Sequence, residues 1–203
     1  DEKKANDLFQ KVASIDNGSR LFDIAINYKK GYGVSQDKRK ATELYQIGAD
    51  NGNIRAIVSL GECYEKGDGV PQDIEKAIEL YQKVAVMGDC RPLFDLSVRL
   101  MKGHGMPQDK EKSIELLQIL VKMDITRAMK QLSDWYMKGK YVPQDKVKAI
   151  DCFQRAIDKG NTGAMVELAE RFAWGDGVPQ NKKKAIELYQ RAAVLGNKGA
   201  MVR

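Results

Sequence analysis

A short glycine motif returns along this chain at an unbroken spacing. Gly31-Tyr32-Gly33-Val34 is followed by Gly67-Asp68-Gly69-Val70, Gly103-His104-Gly105-Met106, Gly139-Lys140-Tyr141-Val142 and Gly175-Asp176-Gly177-Val178, each 36 residues after the last. A strict period in this range is the signature of stacked supersecondary units, each of which buries its apolar face only against its neighbours. The period therefore constrains architecture closely. It constrains function weakly, because chemistry has to be argued from a site and not from the fold.

Each unit reads as two helices. In the second unit, Ile54 to Lys66 places Ala56, Leu60, Gly61 and Tyr64 on one helical stripe. Gly67 stops this helix as a glycine does at a left-handed C-terminal cap. Gly69 permits a second bend, Pro71 stiffens it, and Asp73 caps the next helix. That helix runs from about Ile74 to Met87, with Ala77, Leu80, Tyr81, Val84 and Ala85 inward, and ends at Gly88. The positions hold across copies. The first helix repeats a leucine column (Ile24, Leu60, Leu96, Leu132, Leu168), a small-residue column (Ala25, Gly61, Ser97, Ser133, Ala169) and a ring column (Tyr28, Tyr64, Leu100, Tyr136, Phe172). The second helix repeats an alanine column from Ala5 to Ala185 and an aromatic column from Phe9 to Tyr189. Asp37, Asp73, Asp109, Asp145 and Asn181 stand at its cap.

Ala56…Leu60-Gly61…Tyr64…Gly67-x-Gly69-Val70…Asp73…Lys76-Ala77…Tyr81 resembles the Sel-one-like repeat (SLR), a relative of the tetratricopeptide repeat, and Ala164 to Gly196 fits nearly as well. The resemblance spans the chain. It implies an all-α fold, a right-handed α-α superhelix of about five repeats, and a role as adaptor or scaffold with no shared catalytic residues. The departures from the pattern are Tyr141 in place of a turn glycine, Asp124 in place of a closing glycine, and a divergent third repeat carrying Pro92, Leu100, Ser113, Leu117 and Val121. The chain opens within a second helix, with Asp1 at the cap position, and closes a few residues into a first helix. Residues 1–203 are therefore expected to be one solenoid, a segment of a longer array with partial repeats at both ends. Uncapped ends leave self-association open.

The charge balance is +6, from 34 basic and 28 acidic side chains. These are interleaved in every helix, which describes a solvated surface and not a face for specific nucleic-acid binding. No apolar run reaches the roughly 20 residues of a membrane span. Cys63, Cys90 and Cys152 occupy three different places in the repeat and form no disulfide ladder; reduced thiols fit a cytoplasmic chain, with the bacterial periplasm as the alternative.

Candidate chemistry is sparse. Ser35-Gln36-Asp37-Lys38 matches the Ser-x-x-Lys of β-lactam-binding hydrolases, but its partner motifs are missing, and Ser35 stands where the other copies have proline. His104, the single histidine, lies in a turn. One histidine and three scattered cysteines do not assemble a zinc site. No catalytic residue, cofactor or metal is expected. The lysines opening each second helix read as a solvated face. The stronger signal is apolar excess beside the leucine stripe of the first helix, on the face that is concave in tetratricopeptide arrays. Phe22, Ile26, Val58, Phe94, Val98, Met101 and Trp174 form the candidate contact surface for a protein or peptide partner, rimmed by Arg91, Arg127, Asp134 and Glu170. Ile47 and Ile119, in a column otherwise basic, mark a rival surface on the second helices. A protein-binding scaffold is the leading expectation. A bacterial immunity or virulence-associated factor gripping one toxin or host protein is the alternative, and a β-lactam-binding hydrolase a distant third.

Overall fold

The computed structural model describes residues 11–202 and is all-helical over them. Ala5, Phe9 and the Asp1 cap position lie outside the described residues. The chain divides into two compact units, Asp1–Gln108 and Asp109–Arg203. Helical residues 11–16 precede α1 (Ser19–Lys30), α2 (Lys38–Asp50), α3 (Ile54–Lys66), α4 (Ile74–Val86) and α5 (Arg91–Lys102) in the first unit. The second unit holds α6 (Lys110–Lys122), α7 (Thr126–Lys138), α8 (Lys146–Asp158), α9 (Thr162–Trp174), α10 (Lys182–Val194) and a 3-10 turn at Ala200–Val202. Within each unit every helix packs against the next in sequence. Odd-numbered helices from α1 to α9 are the first helices of the repeats, and even-numbered ones are the second.

The turns explain the glycine motif. The first glycine of each motif is left-handed, with φ between 61° and 75° from Gly31 to Gly175. Its amide donates back to the carbonyl four residues earlier, as in Gly67 to Cys63. The cap aspartates accept as expected: Asp37, Asp73, Asp109 and Asp145 each take the backbone N–H three residues on, at 2.8–3.0 Å, and Asn181 does likewise. A column that the sequence reading passed over closes each turn. Gln36, Gln72, Gln108, Gln144 and Gln180 donate Nε2 to the carbonyls of Lys29, Glu65, Met101, Met137 and Ala173 at 2.7–2.9 Å. A carbonyl left orphaned at the helix end is thereby satisfied by the same side chain in all five copies.

The second motif glycine has more than one reason to be glycine. At Gly69 a Cβ would run into the Lys38 carbonyl and the Thr42 hydroxyl, so the preceding repeat is in the way. Tyr141, at the same position, has no positive φ. The fourth turn bends differently, and the tyrosine ring packs edge-on to Trp135 at 5.1 Å. Asp124 does adopt the left-handed conformation of the glycine it replaces, at φ 61°. Its carboxylate is held by Lys159 at 2.7 Å and Arg155 at 3.6 Å.

The leucine column from Leu60 to Leu168 is buried, whereas Ile24 is half-buried. The small column is buried throughout, and at Gly61 a Cβ would collide with the Tyr81 ring. Of the ring column, Tyr28, Tyr64, Tyr136 and Phe172 are half-buried and Leu100 is buried, and the outer faces of the four rings are covered by the lysine column. Lys40, Lys76, Lys148 and Lys184 lie over Tyr28, Tyr64, Tyr136 and Phe172 at 4.7–5.6 Å from the ring centres. The row of lysines is thus no plain solvated face: four of its members serve as cation–π lids. In the third repeat, where the ring is Leu100, Lys112 lies 3.4 Å from Glu115.

Candidate partner-binding surface

The sequence-predicted surface divides by burial. Phe22, Phe94 and Met101 are 6%, 4% and 1% exposed. They belong to the core, which corrects their placement on a free face. The buried arc of these first helices is thus wider than the leucine stripe. Phe22 lies against Tyr45 at 5.6 Å, with the Arg55 guanidinium over its ring at 4.1 Å. Ile26, Val58 and Val98 are half-buried. Arg91 is exposed and bonds Asp89 through Nε and Nη2, both at 2.8 Å. Those bonds hold the Asp89 carboxyl below its ordinary range. On the rival face Ile47 is buried and Ile119 half-buried.

A buried polar cluster in the first unit was invisible to the sequence reading. Glu65 is 3% exposed. Tyr81 donates its hydroxyl to Glu65 Oε2 at 3.0 Å, and Arg99 donates Nη2 to the same oxygen at 2.8 Å while its Nε lies 2.7 Å from Oε1. Burial, and then the Glu65 charge, push the Tyr81 hydroxyl far above its usual pKa. Nearby, burial raises Tyr45 to about 12 and lifts the Cys63 thiol. Cys63, Cys90 and Cys152 are all free thiols.

In the second unit, α7, α9 and the turn after α9 enclose an open groove of about 330 Å³ lined by Asp134, Lys138, Glu167, Glu170, Arg171, Trp174 and Asp176. Asp134, Glu170 and Trp174 of the expected surface all line this groove, while Arg127 is exposed near the start of α7 and outside this lining. Trp174 is 81% exposed. Arg171, buried to 9%, bonds Asp176 through Nη1 at 2.8 Å and reaches Asp134 through Nη2 at 3.4 Å. Its guanidinium sits 5.7 Å from the centre of the Phe153 ring. Lys130 is paired with Glu167 and lies 4.0 Å from Asp134. Burial raises the Glu167 carboxyl above its ordinary value; Lys130 opposes the rise and Asp134 adds to it. The sequence signal that could have found the groove is a column. Position 174 is occupied by Lys30, Lys66, Lys102 and Lys138 in the other repeats.

The described residues contain no cluster of three or more histidine, cysteine or acidic side chains placed to hold a metal ion. No helix among them is long and apolar enough to cross a membrane. Ser35 is exposed, and the lysine of its Ser-x-x-Lys is engaged elsewhere, with Nζ 2.7 Å from Asp68 Oδ1.

The chain matches the Sel1 repeat family at residues 21–53, 54–89, 93–124, 126–161 and 162–197. Among solved structures it is similar to a Sel1 repeat protein from Oxalobacter formigenes, with 25% identity and a TM-score of 0.58 over 91% of this chain and 73% of that one. It is also similar to c5321, a protective antigen present in uropathogenic Escherichia coli strains that displays an SLR fold. That likeness has 25% identity and a TM-score of 0.62 over 94% of this chain and 41% of c5321. Helicobacter pylori cysteine rich protein B shares the fold at 24% identity and TM-score 0.51, over 64% of this chain and 94% of that one. A comparison with curated proteins finds no match.

Proposed function

This chain belongs to the Sel1 repeat family, and we propose that it is a non-enzymatic binding module that holds a protein partner at the groove between α7 and α9. Sel1 repeat proteins typically mediate protein–protein interaction, and their fold is generally non-enzymatic. The observation that carries the finer reading is Trp174. A tryptophan that stays 81% exposed gains little from folding. It stands where every other repeat keeps a lysine. Exposed tryptophans beside a groove are what interface hot spots are made of. The half-buried Ile26, Val58 and Val98 of the first unit extend the proposal to that unit's first helices, with Arg91 as their polar neighbour. Arg127 has the same part in the second unit.

Trp174→Lys tests this reading, because it installs the residue that the repeat already tolerates at that position. Immobilised wild-type chain should retain a partner from the source cells that the variant retains at least about tenfold less, as hot-spot truncations do. Equal retention by both would place the binding surface elsewhere.

A further inference from the structure

We propose that the groove between α7 and α9 receives a short basic peptide segment of the partner, with one lysine or arginine side chain laid on the indole of Trp174 against Glu170 and Asp176. This rests on the reading of the chain as a binding module and adds the chemistry of what is bound. Four carboxylates and two basic side chains line the groove in a chain whose overall charge is +6. Those two are Lys138 and Arg171, and Arg171 is already engaged by Asp176 and Asp134; even with Lys130, which stands behind the lining on Glu167, the carboxylates outnumber the basic side chains by four to three. An acidic or phosphate-bearing ligand would meet this wall of like charge, whereas a cationic segment complements it.

The size of the groove points to a peptide and not to a bare cation: about 330 Å³ is far more than one cation fills and has room for a short stretch of chain. The indole then supplies the remaining contact. Tryptophan is the strongest ring for a cation, and among the described residues lysines of this chain already lie over seven rings at 4.7–5.9 Å.

The test uses dye-labelled, capped peptides of alternating glycine and arginine, glycine and glutamate, or glycine and serine, followed by fluorescence anisotropy on the full chain at physiological salt. The arginine peptide is expected to bind at least about tenfold tighter than the serine peptide, and the glutamate peptide weakest of the three. Trp174→Lys and Glu170→Gln should each weaken the arginine peptide by about tenfold, with circular-dichroism melting curves matching wild type. Binding of the arginine peptide that is unchanged in Trp174→Lys overturns the proposal, as does an absence of binding by all three peptides. Serine-peptide binding as tight as arginine-peptide binding, and lost in Trp174→Lys, would overturn the basic chemistry while leaving the binding module intact. The partner-retention comparison under Proposed function fails or succeeds independently of the peptides.

Discussion

Arg99 and Arg171 occupy the same position of the repeat, two copies apart, and do opposite things. Arg99 closes a site in the first unit: it meets Glu65, which also accepts the Tyr81 hydroxyl, and all of Glu65's oxygens are spoken for inside the fold. In the second unit the residues equivalent to Glu65 and Tyr81 are Met137 and Phe153. Carboxylate and hydroxyl are both gone. Arg171 lies over the Phe153 ring, and its guanidinium reaches Asp134 and Asp176, which line an open groove beside Trp174. The equivalents of Asp176 and Trp174 two copies earlier are His104 and Lys102. One position of the repeat is therefore spent on internal cohesion in one unit and on the wall of a groove in the other. The difference is made by the side chains around the arginine, since the arginine itself is the same.

The comparison can be broken most directly at Glu65. Glu65→Ala removes a buried carboxylate from two donors, and it should cost about 3 kcal/mol, because the buried Tyr81 hydroxyl loses its acceptor and the partly exposed Arg99 loses a charge-assisted bond. Urea midpoints would show it, and a loss under about 1 kcal/mol would mean that the first-unit cluster is not cohesive. The apolar frame, by contrast, should be the same in both units. Leu60→Ala and Leu132→Ala, 1% and 3% exposed, should each cost about 3 kcal/mol. If one of the pair were nearly neutral, the two repeats would not share a core.

Tyr81→Phe sharpens the comparison by giving the first unit the ring of the second. Glu65 keeps Arg99, so only one hydrogen bond is lost, and the cost should be about 1 kcal/mol. Denaturation of Tyr81→Phe, of Arg99→Ala and of the two combined would measure the coupling; strict additivity would contradict a shared site.

The smallest expected effect is a pH dependence confined to the groove. The Glu167 carboxyl is raised above its ordinary value of 4.5 by burial. Between that value and the raised one the folded chain binds more protons than the unfolded chain, so stability falls as pH rises through the window and the penalty is fully present above it. Glu167→Gln should flatten this part of the stability profile. A difference between the wild-type and Glu167→Gln profiles that instead rises across the same window would reverse the sign and refute the account. Raised Glu167 and lowered Asp68, the latter held down chiefly by its bond to Lys38, pull in opposite directions. Asp68 contributes stability above its ordinary value and loses it as pH falls through its depressed one, so the Glu167→Gln difference profile isolates the groove.

What was legible in the sequence was legible because its cause is local. Helix ends at Gly67 and Asp73 follow from backbone conformation and capping within a few residues, and Ile54–Lys66 forms as read. The glutamine column was equally local and could have been read from its period. Phe22 and Phe94 were misplaced because they sit beside the leucine stripe, where periodicity alone does not say how wide the buried arc is. Trp174 was singled out from its place near a helix end, and its meaning came only with its exposure and its groove.

The sequence by itself determined that this chain is a repeat of helical pairs, where each helix starts and stops, and which columns form the apolar frame. Helix ends depend on contacts within a few residues, the columns follow from the helical period, and the 36-residue repeat states both five times over. Only the tertiary structure decided which charges are structural and which line a groove. Glu65 and Arg99 are 34 residues apart and Lys130 and Glu167 are 37 apart, each pair separated by a whole second helix, and a side chain's partner at that distance is chosen by how neighbouring helices pack. The same arginine reads identically at 99 and 171 until the residues opposite it are in place.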